Sequence, residues 1–351
     1  MKFGFMCREK GSELRARIAI VGAGPAGLAA AGLLACKGAD VDVYDKLPHP
    51  GGMMMFVIPS TRIPKESVIE GVEDLERRLG VKFILRTKVF EGEPRHDEGD
   101  EFVQNTVSLS KLVEEYDAVL IATGTWRSRK MGIEGEEAEG VYPALEYIYK
   151  WNIYDMKLVT ERPYLGKRVV VVGGGLSAVD AAEVALHRGA EEVYLVYRRT
   201  IREAPAGEYE IRRLVREGVN WIELAQPTKI ITENGFVKAI EFVRMKLGEP
   251  DESGRPRPIP IPGSEFQLEA DTVLVAVGEL PTPPLSTEAL GIRMDKRGRI
   301  QVDRFWRASE KVFAAGDVVT GPSMVGRAVG SGLRAARAMS SILRRSLRLS
   351  S

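Results

Sequence analysis

Cysteine is nearly absent from this 351-residue chain, which carries only Cys7 and Cys36. The two do not form a C-x-x-C pair, which excludes a redox dithiol of the usual spacing. Two thiolates also fall short of the four that a self-contained iron–sulfur cluster takes. Cys36 reads as a small buried hydrophobe in a helix, while Cys7, in a short tail before the first strand, keeps open a ligand or redox role shared at a subunit interface. Long apolar runs are missing as well. No stretch approaches the 18 residues of a membrane span, and the segment Met1–Lys10 lacks the continuous apolar core of a secretory leader, so a cytoplasmic protein without membrane insertion is expected. A net charge of +1 leaves no molecule-wide basic field, which argues against a nucleic-acid partner. Amides are scarce, with four glutamines and four asparagines, a bias typical of thermophiles. No metal-ligand set and no catalytic acid–base set stands out.

Glycine, by contrast, is placed with purpose. Two glycine-rich turns about 150 residues apart, Gly22-Ala-Gly24-Pro-Ala-Gly27 and Gly173-Gly-Gly175-Leu-Ser-Ala178, each close a β-branched apolar run and open an alanine-rich helix. The first glycine of such a turn permits the tight bend, the second lets the backbone approach a pyrophosphate, and the third packs helix against strand. The helix N-terminus then supplies oriented N–H donors to the anion. In the first unit a second strand, Val41–Asp45, ends on an acid placed to accept from ribose hydroxyls. In the second unit the corresponding strand, Glu192–Tyr197, runs into Arg198-Arg199. A carboxylate there would repel a 2′-phosphate, whereas a guanidinium pairs with it. The first site is therefore read as FAD and the second as NADPH, with NADH as the other possibility.

The remaining chain is assigned around these two units. An amphipathic helix is expected over 66–79 and a solvated loop or hairpin insertion over the charged stretch Glu91–Glu101. Met54 and Met55 read as core filler. The strand Ala118–Ile121 enters Ala122-Thr-Gly-Thr125, a segment from 126 to 166 reads as crossover with a helix near 144–151, and Asn234-Gly235 signals a hairpin between 227 and 245. The Pro- and Gly-rich segment 248–264 reads as a loop. Strand Asp271–Val277, ending at Gly278, mirrors the earlier exit strand and suggests re-entry. The expected fold class is α/β, with two Rossmann-like domains, the NAD(P)-binding domain (129–269) inserted into an FAD-binding domain (1–128 and 270–351). A strand ending in Gly316-Asp317 and a following helix from about Ser323 complete the first domain, with the aspartate placed for ribityl hydroxyls.

With these motifs in place, the chain from about Arg17 to Leu343 resembles the two-dinucleotide-binding-domain flavoproteins of the pyridine nucleotide-disulfide oxidoreductase superfamily. Within them it is similar to the small (beta) subunit of bacterial glutamate synthase. The segments that carry the likeness are GAGPAGLA from Gly22, ATGT from Ala122, VVVGGGLSAVDAA from Val170, YRR from Tyr197, RMKLGEPDESGR from Arg244 and AAGDVV from Ala314. The resemblance implies FAD at Gly22, Gly24, Gly27, Asp45, Gly52, Arg62, Val89, Thr123, Gly124, Asp317 and around Ala328. It implies NADPH at Gly173, Gly175, Leu176, Ser177, Arg198 and Arg199. Pro25, Ala26, Lys46, Ala122, Gly278 and Gly316 complete the candidate cofactor set. Relatives of this type carry an N-terminal domain with two iron–sulfur clusters where this chain shows a tail of about 16 residues, and Val57 replaces a usual glycine. The expected activity is hydride transfer between NADPH and FAD, with electrons passed to a partner subunit or acceptor, in first place an iron–sulfur one, in a homo- or hetero-oligomer. Two alternatives stand beside it. One is the flavin subunit of a multisubunit dehydrogenase or heterodisulfide-reductase-like complex with an idle nicotinamide site. The other is a nucleotide-binding structural subunit. The arginine-rich end, without an acid after Asp317, is read as a solvated helix face or as a dock for an acidic electron-transfer partner.

Overall fold

Short runs of β-branched residues that end at glycine build parallel strands here, and alanine-rich segments after the glycines build the helices between them. The computed structural model describes residues 3, 7–251 and 254–349. Strand β1 (Arg17–Val21) leads through the first glycine turn into α1 (Pro25–Cys36), whose Pro25 suits the first helical position, and then into β2 (Asp40–Tyr44). Helix α2 (Lys65–Leu79) buries Val68, Val72, Leu75 and Leu79 and ends at Gly80, whose left-handed φ of 67° closes the last turn. β3 (Lys82–Ile84) and β4 (Ala118–Ile121) follow.

The chain then enters its second unit, where β5 (Val141–Pro143), α3 (Ala144–Asp155), β6 (Arg168–Val172), α4 (Leu176–His187), β7 (Glu192–Val196) and β8 (Asn220–Ile222) are laid down. An antiparallel group comes next: β9 (Ala225–Glu233), β10 (Phe236–Pro250), β11 (Pro256–Pro260) and β12 (Phe266–Glu269). Strand β13 (Thr272–Val275) ends this unit. Back in the first unit, β14 (Val312–Ala314) precedes the long helix α5 (Val325–Leu349).

The contacts divide the chain into two compact units, 1–127 with 279–351, and 128–278. The first holds an all-parallel sheet in the order β14-β4-β1-β2-β3. Its core gathers Ala19, Val21, Val119, Ile121, Val312 and Ala314 with Leu109 and Leu112 of a short helix, Leu109–Glu115. The second holds another parallel sheet, β8-β7-β6-β13-β5, covered on one side by the antiparallel strands through Val170, Val172, Ile230, Ile240, Phe242 and Val273. In each parallel sheet the strand that runs into the glycine turn, β1 or β6, takes the central place. Among the described residues no helix is long and apolar enough to cross a membrane.

Several expectations need correction. Strand 272–275 belongs to the second unit, not to a first domain resumed at 270, because its fully buried Val273, Leu274 and Val275 pair with Val170, Val171 and Val172. The segment 126–166 also contributes a sheet strand, β5, on the other side of β13. The expected loop over 248–264 is largely a hairpin, with β10 running on to Pro250 and β11 pairing Ile259 with Lys246. Prolines at 256, 258 and 260 alternate along this edge strand, so their missing N–H groups all fall on one side of it. Asn234-Gly235 turns as expected, with φ of 53° and 85° suited to a tight two-residue hairpin.

The charged stretch 91–101 is not simply solvated. Asp97 is buried, and Asp100 takes Lys46 Nζ at 3.0 Å and Lys88 Nζ at 2.5 Å. Cys36 is no isolated apolar filler either: it forms a disulfide with Cys7. That bridge ties the tail to the C-terminal end of α1. Gly11 N–H donates to Ala35 C=O, Leu14 N–H donates to Lys37 C=O, and Arg78 donates to the carbonyls of Cys7 and Arg8.

Candidate functional site

The first glycine turn is held from three sides. Gly22 adopts φ 109°, and a Cβ there would lie 2.4 Å from the Ala122 carbonyl oxygen, so β1 and β4 can approach only with glycine at this position. At Gly27 a Cβ would sit 2.0 Å from the Gly22 oxygen, which packs α1 directly onto its own turn. Gly24 is different. A Cβ on Gly24 would meet nothing within 4 Å, so its space is left for something other than protein. Gly52 closes over it with φ 54°, and a Cβ there would lie 2.7 Å from Gly24 Cα.

At the end of β2 the Asp45 carboxylate is buried and accepts from Ala23 N–H at 2.6 Å and from Leu47 N–H at 2.9 Å. The acid thus fixes the turn it was expected to serve. Burial pushes its carboxyl up from the usual range, against the pull of those backbone donors. A pocket lined by Gly22, Asp45, Lys46, Val89, Thr123 and Trp126 opens beside it. Lys46 is already engaged, since its ammonium pairs with Asp100 and lies 5.6 Å from the Trp126 ring centre. Burial lowers its pKa, with Asp100 and Asp97 opposing. The hydroxyl Oγ1 of Thr123 is buried without a hydrogen-bond partner. An orphaned hydroxyl, a vacant flank at Gly24 and a buried acid fit a dinucleotide with its pyrophosphate on the turn.

The Gly316-Asp317 element reaches the same end of the sheet. Gly316 N–H donates to Ser331 Oγ at 2.8 Å, and Asp317 accepts from Ser323 Oγ at 2.6 Å and Ser323 N–H at 3.1 Å. Burial pushes the Asp317 carboxyl up as well. Ala328 of α5 packs with Ala26 and Ala122, and a Cβ at Gly332 would lie 2.1 Å from the Ala26 oxygen. Ala26, Ala122 and Ala328 are therefore small where α5 meets the turn, while Pro25 opens α1. Arg62 is half-buried on the segment after Gly52, and Gly124 adopts φ 74° beside Thr123. His49, adjacent to Pro50-Gly51, is exposed, and partial burial lowers its pKa.

The second turn repeats the plan with one substitution. Gly173 has φ 155°, and a Cβ there would lie 2.4 Å from the Ala276 oxygen; Gly175 again has nothing within 4 Å. Ala178 takes the third place, fully buried. Leu176 is 36% exposed at the start of α4, with Ser177 beside it, and Gly278 adopts φ 115° at the unit's end.

The paired arginines part company. Arg198 is exposed at the end of β7. Arg199 is 2% exposed, donates through Nε to the Pro256 carbonyl at 2.7 Å and through Nη2 to Asp251 at 2.5 Å, and so clamps the β10–β11 hairpin. Its candidacy as a phosphate ligand is corrected to an anchoring role. Sequence spacing could not show this because Asp251 lies 52 residues away. Lys46 is likewise an ion-pair partner of the 91–101 segment, a link no local pattern signals. Among the described residues no cluster of three His, Cys, Asp or Glu side chains could hold a metal ion.

Residues 16–332 match the pyridine nucleotide-disulphide oxidoreductase family. The chain belongs to that family. It is an FAD-dependent NAD(P)H oxidoreductase, with FAD and NADP(H) as cofactors. It is 42% identical over 333 residues to the NADP(+)-dependent formate dehydrogenase subunit beta of Moorella thermoacetica, an alignment that takes in 93% of this chain and 44% of that protein. It is 36% identical over 328 residues to the glutamate synthase [NADPH] small chain of Halomonas elongata, covering 91% of this chain and 66% of the other. The chain thus spans from under half to about two thirds of these relatives. Its fold is similar to that of Mycobacterium tuberculosis FprA in complex with NADPH, with a TM-score of 0.78 at 21% identity, over 95% of this chain and 86% of that one.

Proposed function

We propose that this oxidoreductase moves reducing equivalents between NADPH and FAD and passes them to a partner subunit that carries an iron–sulfur centre. The observation that carries the reading is the doubled turn: Gly24 and Gly175 each stand at a helix N-terminus with no protein atom in the space a side chain would take. Two such cradles in one chain call for two dinucleotides. When bound, the two cofactors supply the hydride chemistry, and the protein supplies geometry.

In the first unit, the N–H groups at the start of α1 face the pyrophosphate, Asp45 accepts from a ribose hydroxyl while holding Ala23 and Leu47, and the Thr123 hydroxyl finds its missing partner. Asp317 holds the ribityl side. In the second, the start of α4 faces the other pyrophosphate and Arg198 supplies the cation for the 2′-phosphate. A partner subunit is supported by two relatives, a formate dehydrogenase subunit beta and a glutamate synthase small chain, each a component of a larger enzyme. Stopped-flow mixing of the purified protein with NADPH and with NADH tests the reading. Rapid bleaching near 450 nm by NADPH is expected. Bleaching by another donor alone would favour a flavin subunit with an idle nicotinamide site, and absence of flavin would leave a nucleotide-binding structural role.

A further inference from the structure

Helix α5 carries six arginines and no acidic residue over its length Val325–Leu349, in a chain whose net charge is only +1. Three of them share one exposed strip: Arg327, Arg337 and Arg345 are exposed, and separations of 10 and 18 residues return to within about 80° of the same direction on a helix of 3.6 residues per turn. Exposed Arg334 falls on the same strip, with its guanidinium 5.3 Å from the Trp306 ring centre. Arg344, about 20° round the helix from Arg337, is half-buried and spent on Glu13.

Beside Trp306 the surface shows Phe305, 44% exposed with Arg304 over its ring at 4.7 Å, and before the helix stands Met324, 57% exposed. Arginine with aromatic side chains and methionine is the composition that protein interfaces favour. The strip also has a direction. It begins next to Ala328, which packs with Ala26 and Ala122 at the first glycine turn, and Arg345 lies 18 residues further on, about 27 Å along the helix axis.

We propose that this strip docks a small acidic electron-carrier protein, placing its redox centre at the Ala328 end of α5. The proposal rests on the reading that electrons leave through a partner. The overall step balances with a one-electron carrier: one NADPH and two oxidised carriers give NADP+, one proton and two reduced carriers. Complementary charge would act chiefly on encounter and register, so the effect should be strong at low salt and fade as the Debye length shortens.

The test uses the FAD-loaded protein, a small acidic [2Fe–2S] ferredoxin as probe, and two variants, Arg337→Gln/Arg345→Gln and Arg337→Glu/Arg345→Glu. Binding is measured by titration calorimetry at low salt and near 0.3 M salt, and NADPH-driven ferredoxin reduction is followed alongside flavin bleaching. Expected are a Kd raised about tenfold by charge reversal at low salt, a smaller rise on neutralisation, near convergence at high salt, and unchanged bleaching by NADPH. Equal affinity for ferredoxin in wild type and reversed variant, or affinity without salt dependence, overturns the proposal. So does wild-type binding to duplex DNA or to phosphatidylserine vesicles with none to ferredoxin. Failure of NADPH to bleach the flavin strikes the proposed function alone, because ferredoxin binding still scores the surface.

Discussion

Separating the roles of Arg198 and Arg199 gives the sharpest test of the second site. Arg198 is exposed at the end of β7, whereas Arg199 is buried and hydrogen-bonded to Pro256 and Asp251. Arg198→Ala removes charge-assisted hydrogen bonds to a 2′-phosphate, each about 1.5 to 3 kcal/mol. The lower end applies because the side chain is wet, so NADPH affinity should fall roughly tenfold to thirtyfold. NADH, which lacks that phosphate, should bind as before. Arg199→Ala instead removes the hydrogen bonds that Arg199 gives to the Asp251 carboxylate and the Pro256 carbonyl. A fully buried pair broken on one side costs about 3 to 5 kcal/mol, and with the Asp251 side chain 28% exposed a loss of about 2 kcal/mol is expected. At roughly 2 to 4 °C per kcal/mol, that lowers the melting transition by about 4 to 8 °C. Calorimetric titration with both nucleotides and a thermal melt on each variant decide the matter. Parallel loss of NADH and NADPH in Arg198→Ala would refute the phosphate role, and an unshifted melt with NADPH-specific loss in Arg199→Ala would return Arg199 to the ligand set.

Gly24→Val should fold, since its φ of −78° suits any residue and no protein atom lies near, yet purify with little flavin; Gly27→Ala should instead lower the melt, its Cβ meeting the Gly22 oxygen. Flavin content by absorbance and a melt separate the two. Asp271, hydrogen-bonded to Arg168, has its carboxyl held below the usual 3.8, so its contribution is present above about pH 4 and is lost as pH falls through the lower folded value. Asp271→Asn should flatten the acid limb of the melt-versus-pH curve, and an unchanged limb counts against it. Burial pulls Lys65 down to about 8 while its ammonium donates to the Met54 and Ile58 carbonyls, so this pair of states favours the folded protein more as pH rises from 8 towards 10.5. Competitive amine labelling across that range should show a midpoint near 8, and one above 10 removes the burial argument. Closing the loop between Cys7 and Cys36 is worth up to about 3 to 4 kcal/mol through the unfolded chain. Thiol titration of the protein before reduction should find none, and Cys36→Ser should melt earlier; two titratable thiols would refute the bridge.

Those parts of the fold that depend on neighbours in sequence were legible without coordinates. The glycine turns, the apolar strands feeding them and the Asn234-Gly235 hairpin are local patterns, and the same patterns place Asp45 and Asp317 on their turns. What stayed hidden depends on distant partners. Asp271–Val277 and Ala118–Ile121 look alike as apolar strands ending towards a glycine, but the first pairs with Val170–Val172 and so belongs to the other unit. The alternating prolines of 256–260 hide a strand because composition speaks for a loop while edge geometry tolerates them. Acid-rich 91–101 reads as solvated until Lys46, Lys88 and Arg127 are found to neutralise it. Cys7 and Cys36 gave no hint of each other, separated as they are by a whole strand and helix.

The two turns, compared position by position, separate what glycine does for the protein from what it does for a ligand. In both, a Cβ at the first position would lie 2.4 Å from a carbonyl oxygen, of Ala122 or of Ala276, so that glycine is demanded by the sheet. At the third position the demand relaxes in the second turn: Gly27 would strike the Gly22 oxygen at 2.0 Å, yet Ala178 is accommodated, its methyl 3.1 Å from where a Cβ on Gly173 would stand. Helix α4 must therefore sit slightly further from its turn than α1 does. Gly24 and Gly175 alone meet no protein constraint, in φ or in contact. A residue that loses more conformational freedom on folding than any other, kept where the fold would accept a side chain, is explained by what approaches from outside. That both turns keep it at the same position is the physical ground for assigning each its own dinucleotide.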